Sequence, residues 1–305
     1  MTGAPPPQST RAAILVPFAI VTLIWGSTWL VIRDQLGVVP PSWSVTYRFI
    51  VAGIAMGIVA RAKGERFALD ARGWMFAAAI GLFQFCLNFN FVYRAEHHIT
   101  SGLVAVVFAM LLVPNALFAR VLLGQRMGGQ LIAGSAVAMA GIALLFVHEA
   151  RVGPAGTAAT LAGIGFTAVA ILAASTANVL QATPTAKRYP MLATLAVAML
   201  IGAGIDGVVA WVLTGPPVVE MRAAYWAGIA YLGLAGSAFA FPLYYRVLRV
   251  IGPAKAAYSS VIVPVIAMLL STVFEGYRWS PLAAAGAALA GVGLVIALRA
   301  RRPNR

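Results

Sequence analysis

The chain has 305 residues, 61% hydrophobic and 10% charged, with a formal net charge of +14 from 22 basic and 8 acidic residues. Soluble domains carry about 25% charge, so this composition, with a mean hydropathy of +0.90, excludes an ordinary water-facing surface and indicates a polytopic membrane protein. The single cysteine, Cys86, excludes an intramolecular disulfide and a cysteine-cluster metal site, and the basic residues fall in short gaps between apolar runs rather than on a nucleic-acid-binding face.

Residues 1–11 are polar and Pro-rich and read as a disordered tail. The first apolar run, 12–32, has 21 residues. A signal-peptide core has about 7–15, so this is an uncleaved first span. Crossing the hydrocarbon takes about 20 apolar residues. The remaining runs give spans at 42–60, 73–93, 99–122, 128–147, 159–182, 190–213, 223–245, 253–274 and 280–298, followed by a basic tail at 300–305. Turn signals separate them, among them VVPPS, TPTAKRYP and TGPP. With the N-terminus in the cytoplasm, cytoplasmic segments hold sixteen basic residues and outer segments hold five, with Arg48 alone inside a span. That asymmetry follows the positive-inside rule and predicts both termini in the cytoplasm.

Polar and aromatic residues inside apolar spans mark the candidate lining of a central cavity. In the first span, Trp25 and Trp29 share a helix face. Trp29 also suits an interfacial belt, and Ser27 and Thr28 suit helix packing. In the third span, Gln84 and Asn88 share a face, as cavity lining or as interhelical glue. Met110, Pro114 and Asn115 cluster in the fourth span. Asn178 is the most central polar residue of the sixth, beside Ser175 and Gln181. Ser237, Phe241 and Tyr244 lie near one face of the eighth, and Tyr258 and Ser259 precede Pro264 in the ninth. Pro114 and Pro264 each free a backbone carbonyl, which makes them site markers, hinges or plain kinks. Arg48 and Asp206 lie at similar depths, so they can pair; Arg48 can also snorkel or line a vestibule, and Asp206 can carry a proton. Gly53 and Gly57, with the Ala/Gly-rich fifth and tenth spans, suit close helix packing.

The halves echo each other. NFVYRAEHHITSGL at Asn90 and PLYYRVLRVIGPAK at Pro242 both close a span on Tyr-Arg. From Tyr93 to Gly124 and from Tyr245 to Gly276 the separation is 31 positions in both cases. AGIALL at Ala140 matches AGVGLV at Ala290. Two similar halves of five spans must face opposite ways, which predicts an inverted repeat, 12–150 and 151–299, around a central cavity.

WGSTW, PPSWSVTYRF with Arg48, and the paired proline spans, each followed by a Gly/Glu/Gln-Arg turn, resemble the EamA-type ten-span exporters of the drug/metabolite transporter superfamily, and within them the aromatic amino acid exporters. The resemblance runs from about Trp25 to Leu298. It departs from the family at Gln125, where a glutamate is usual. It implies an all-α integral membrane protein of the bacterial-type inner membrane that exports small metabolites, foremost aromatic and other neutral hydrophobic amino acids. With Asp206 as the one intramembrane carboxylate found, facilitative alternating access is expected. A drug or nucleoside-type exporter, proton-coupled through Asp206, is the alternative. No cofactor, metal or nucleic-acid partner is expected. No catalytic constellation is evident, because His97, His98 and His148 sit at outer loop edges.

Overall fold

The computed structural model describes residues 8–124, 128–152, 156–251, 256 and 259–298, and among them every regular element is helical. In chain order the long helices are α1 (Gln8–Asp34), α2 (Pro41–Ala62), α3 (Ala71–Glu96), α4 (Ser101–Leu123), α5 (Gly129–Val152), α6 (Gly156–Gln181), α7 (Met191–Thr214), α8 (Ala223–Val250), α9 (Ser259–Phe274) and α10 (Pro281–Leu298). Seven of them, α1–α4 and α6–α8, are long and apolar enough to cross a bilayer. The other three carry shorter apolar stretches, Gly129–Leu145, Ile262–Phe274 and Pro281–Ala297.

The turn chemistry sets the helix ends. Pro41 occupies the first turn of α2, where its missing N–H costs nothing. Asp70 caps α3 by accepting from the Gly73 N–H at 2.8 Å. Gly124 ends α4 at φ 66° and Gly276 follows α9 at φ 68°, a left-handed conformation that favours glycine.

Small residues let the helices close on one another. A Cβ placed on Gly141 of α5 would stand 2.3 Å from the Ala290 nitrogen of α10, and one on Gly134 would stand 2.3 Å from the Ala297 nitrogen. The two helices therefore run antiparallel in backbone contact. On α2, Gly53 packs on Leu200 and Gly57 on Ala196, so α2 and α7 are antiparallel as well. The α1 helix packs on α9 through Gly26 and Ile266, and α4 crosses α9 at Gly102 and Met268. One hydrophobic core, from Val21 to Ala290, draws on both halves of the chain.

Two helices depart from regular α geometry. Gly81–Asn88 within α3 and Leu234–Phe239 within α8 are π-helical. Such segments recur at functional sites, and they leave carbonyls out of the regular ladder. Side chains take up several of these carbonyls. The Asn90 amide donates to Cys86 O at 3.2 Å, Ser237 Oγ to Leu232 O at 2.8 Å, and the Trp25 indole to Gly236 O at 3.1 Å. A 3-10 turn, Ala109–Leu111, precedes Pro114 in α4, where proline leaves the Met110 carbonyl without its usual donor.

Candidate functional site

A cavity lies between the helices, its enclosed space and open mouth together about 820 Å3. Its wall takes Trp25, Thr28, Trp29 and Ile32 from α1, Arg48 from α2, and Gln84, Asn88, Phe89 and Val92 from α3. Ala105, Phe108, Ala109 and Leu111 come from α4, Ala174 and Asn178 from α6, Phe241 and Tyr244 from α8, and Val263 and Pro264 from α9. Both π segments contribute to or border this wall, because Gln84 and Asn88 lie within the first and Phe241 follows the second.

The wall is an aromatic lattice. Trp25 meets Tyr244 at 4.8 Å and Phe241 at 5.3 Å between ring centroids. Phe241 stands edge-on to Phe85 at 5.2 Å, and Trp29 is edge-on to Phe108 at 5.5 Å. Each such pair adds about 0.5–1.5 kcal/mol beyond its burial, so the rings hold one another in place around the opening. Polar groups are few. The Gln84 carbonyl oxygen accepts from Tyr245 OH at 3.2 Å, and the Asn88 amide donates weakly to Gln84 O at 3.4 Å. The Asn178 side chain has no hydrogen-bond partner among the described residues.

The structure thus gathers Trp25, Trp29, Gln84, Asn88, Asn178, Phe241, Tyr244, Pro264 and Arg48 around one space. Other candidates lie off it. Asn115 is fully buried and accepts from Ser175 Oγ at 2.7 Å, tying α4 to α6. Ser237 holds Arg48 Nε at 3.1 Å. Met110 and Pro114 are not in the wall. Tyr258 and Gln125 lie outside the described residues, as does the side chain of Ser259. The anticipated Arg48–Asp206 pair does not form. Asp206, fully buried, accepts from the Asn90 amide, which in turn takes Ser42 Oγ at 2.6 Å, while Arg48 turns to Ser237 and the Phe89 ring. Similar depth placed the two charges level without placing them on facing helix sides.

Phe89, Val92, Phe108 and Leu111 gave no signal in the sequence, since an apolar residue facing a cavity and one facing lipid have the same composition. Glu96 was missed for another reason. The third helix runs on to Glu96, past the anticipated end near residue 93, and carries this carboxylate into a fully buried position. Asp206 is therefore not the only buried carboxylate, which weakens an argument that rested on there being one.

Two sets of polar ties stand at opposite ends of the helix bundle. At one end Arg33 bridges α1 to α9 through Glu275 at 3.5 Å and donates to the Glu96 carbonyl of α3, and Ser101 of α4 caps the same Glu275. Tyr93 OH donates to Gln35 at 2.7 Å beside them. Burial, then Arg33, holds the nearby His97 imidazole below its ordinary pKa. At the other end Arg249 Nη2 donates to Gln181 at 2.8 Å, and Glu65 accepts from the Ala193 N–H at the start of α7 at 2.8 Å.

Comparison with known proteins agrees with this architecture. A solved crystal structure superposes with a TM-score of 0.68 at 22% identity, covering 94% of this chain and 97% of the other. A probable terminal-alkyne amino-acid exporter of Streptantibioticus cattleyicolor is 29% identical over 94% of this chain and 93% of its own length. The uncharacterized inner membrane transporter YedA of Escherichia coli is 29% identical over 83% and 80%. Protein PagO of Salmonella typhimurium is 24% identical over 88% of each. The sequence model of the EamA-like transporter family matches twice, at residues 12–147 and 161–299, and with both halves matched the chain belongs to that family of membrane transporters.

Proposed function

We propose that the protein exports neutral amino acids, foremost aromatic and hydrophobic ones, across a bacterial-type cytoplasmic membrane. The observation that carries this reading is the cavity itself: an aromatic wall with a few amides. Rings supply stacking surface for an apolar side chain, and Gln84, Asn88 and Asn178 supply polar groups for a head group. The similarity to an amino-acid exporter over nearly the full length supports the same class.

Transport proceeds by alternating access of two inverted five-helix halves, 12–150 and 151–299, through ten spans with both termini in the cytoplasm. The repeat in structure supports this. The π segments begin at Gly81 and Leu234 in the third helix of each half, and left-handed Gly124 and Gly276 end the fourth. The α2–α7 and α5–α10 pairs are self-matched across the halves, and the contact of α1 with α9 is mirrored by that of α6 with α4. In that frame the Arg33–Glu275 ties close the outer end and the Arg249–Gln181 ties close the inner end. The facilitative reading is supported by the wall, which includes neither Asp206 nor Glu96.

The test is counterflow in proteoliposomes with phenylalanine, tryptophan, leucine and glutamate, with and without a pH gradient. Saturable exchange of the neutral amino acids without a gradient is the expected result. A drug or nucleoside-type substrate is the second reading, because the same ring lattice can stack a nucleobase. Exchange of nucleosides with no competition by phenylalanine would select it.

A further inference from the structure

Arg48 is an incompletely satisfied cation. Its side chain is 1% exposed, yet among the described residues no carboxylate lies within ion-pair distance. Burying a charge without a partner costs several kcal/mol, so its surroundings need a reason. Ser237, the Phe89 and Phe49 rings and the Tyr93 hydroxyl surround the guanidinium without neutralising it. Nε donates to Ser237 Oγ at 3.1 Å, and the group lies 4.1 Å over the Phe89 ring. Nη1 is left buried with no hydrogen-bond partner, and Arg48 is part of the cavity wall. The same wall holds two more polar atoms in that condition, the Trp29 Nε1 donor and the Asn88 Oδ1 acceptor. Buried polar groups are nearly always paired; other unpaired atoms, Gln35 Nε2 and Asn115 Nδ2 among them, lie off the wall, while these three belong to residues that share it.

We propose that Arg48, Trp29 and Asn88 form a subsite for the zwitterionic head of an α-amino acid. Arg48 Nη1 and the Trp29 indole N–H take the carboxylate, and Asn88 Oδ1 takes the ammonium. The donor set selects this chemistry. A guanidinium prefers a carboxylate, an indole N–H only donates, and an amide oxygen only accepts. The ring lattice then receives the side chain. This assignment rests on the amino-acid reading above and narrows it, because the α-carboxylate and not the ring becomes the feature required of every substrate. The competing account makes Glu96, whose carboxylate is also buried without a hydrogen bond and lies within electrostatic reach, the permanent counter-charge of Arg48.

The test needs no variant to begin. Binding of phenylalanine, phenylalaninamide and 3-phenylpropionate to the purified full-length protein is measured by calorimetry, and competition is read in counterflow. A hydrogen bond to a charged group is worth about 1.5–3 kcal/mol, so phenylalaninamide should bind roughly 10- to 100-fold more weakly than phenylalanine. Arg48→Gln should erase that difference, and Arg48→Lys should retain part of it. Asn88→Leu should weaken phenylalanine and leave 3-phenylpropionate unchanged. Phenylalanine and its amide binding within about twofold would overturn the subsite while leaving amino-acid export standing. Discrimination that survives Arg48→Gln, or that vanishes on Glu96→Gln with Arg48 intact, would overturn the role of Arg48. If no amino acid binds or moves while nucleosides do, the subsite and the export reading fall together.

Discussion

Replacing Gly141 by alanine tests the α5–α10 seam, which contributes no residue to the cavity wall. The added Cβ would stand 2.3 Å from the Ala290 nitrogen, 2.6 Å from Gly286 O and 2.8 Å from Ala290 Cα, all backbone atoms that no side-chain rotation relieves. Ordinary contact begins at 3.4 Å, so α5 and α10 must part by roughly 1 Å along their shared face. A gap of that size forfeits up to about half of each dispersion contact it opens. Overpacking of this kind costs about 1–3 kcal/mol, against a helix-propensity gain of about 1 kcal/mol for Gly→Ala. Gly141→Val adds bulk and loses most of that gain, so it should be the worse variant. Gly291, one position after Ala290, is the control, because a Cβ there meets nothing within 4 Å. Thermal unfolding in detergent, followed by size exclusion, should rank Gly291→Ala at or above the parent, Gly141→Ala below it and Gly141→Val lowest. Gly141→Val unfolding with the parent would refute the close approach of α5 and α10.

Trp25→Ala removes two ring contacts and the bond to Gly236 O; phenylalanine counterflow should fall at least about tenfold while Trp25→Phe retains part, and an unchanged rate in both would take Trp25 out of the path. Asp206→Asn keeps an acceptor for the Asn90 amide outside the cavity wall, so flux and its pH profile should match the parent; a lost pH dependence would move Asp206 into the transport cycle. Arg33→Gln cuts the tie to Glu275 and Glu96 and should raise outward opening, read as faster labelling of a cysteine at Ile32 by an impermeant thiol reagent, with equal rates showing the tie to be structural only. Asp70 is held below the usual carboxylate range, first by the Tyr189 hydroxyl, then by the Gly73 N–H, with a smaller contribution from Arg188. A depressed folded pKa stabilises above the unfolded value of about 3.9 and is lost as pH falls through the lower folded value. Amide exchange in the first turn of α3 should therefore stay slow to below about pH 4, and acceleration already near pH 5 would contradict that assignment.

The fold was legible where physics is local. Apolar run lengths, proline and glycine at the joints, and the Tyr-Arg echo at Tyr93 and Tyr245 appear in the sequence directly. Polar residues stranded in apolar spans were legible as well, and Trp25, Gln84, Asn88 and Asn178 do meet in one cavity. What the sequence concealed depends on tertiary direction. Phe89 and Phe108 face the cavity with the composition of lipid-facing residues. Asn115 and Ser237 have the same composition as lining groups, yet each is spent on a neighbour, Ser175 and Arg48. The π segments need carbonyl partners from distant helices, such as the Trp25 indole 211 positions from Gly236, and no local pattern announces them. Glu96 was hidden by the extension of α3 past its apolar run.

The central claim is that the cavity is the substrate's path and opens in turn to both faces of the membrane. With Cys86, which is buried, replaced by alanine, single cysteines at Ala105 and Ala174 place one thiol on each half of the wall. Impermeant thiol reagents applied from either face should label both positions, and phenylalanine should slow labelling at each. Labelling from one face only, or labelling that phenylalanine leaves unchanged, would contradict the account.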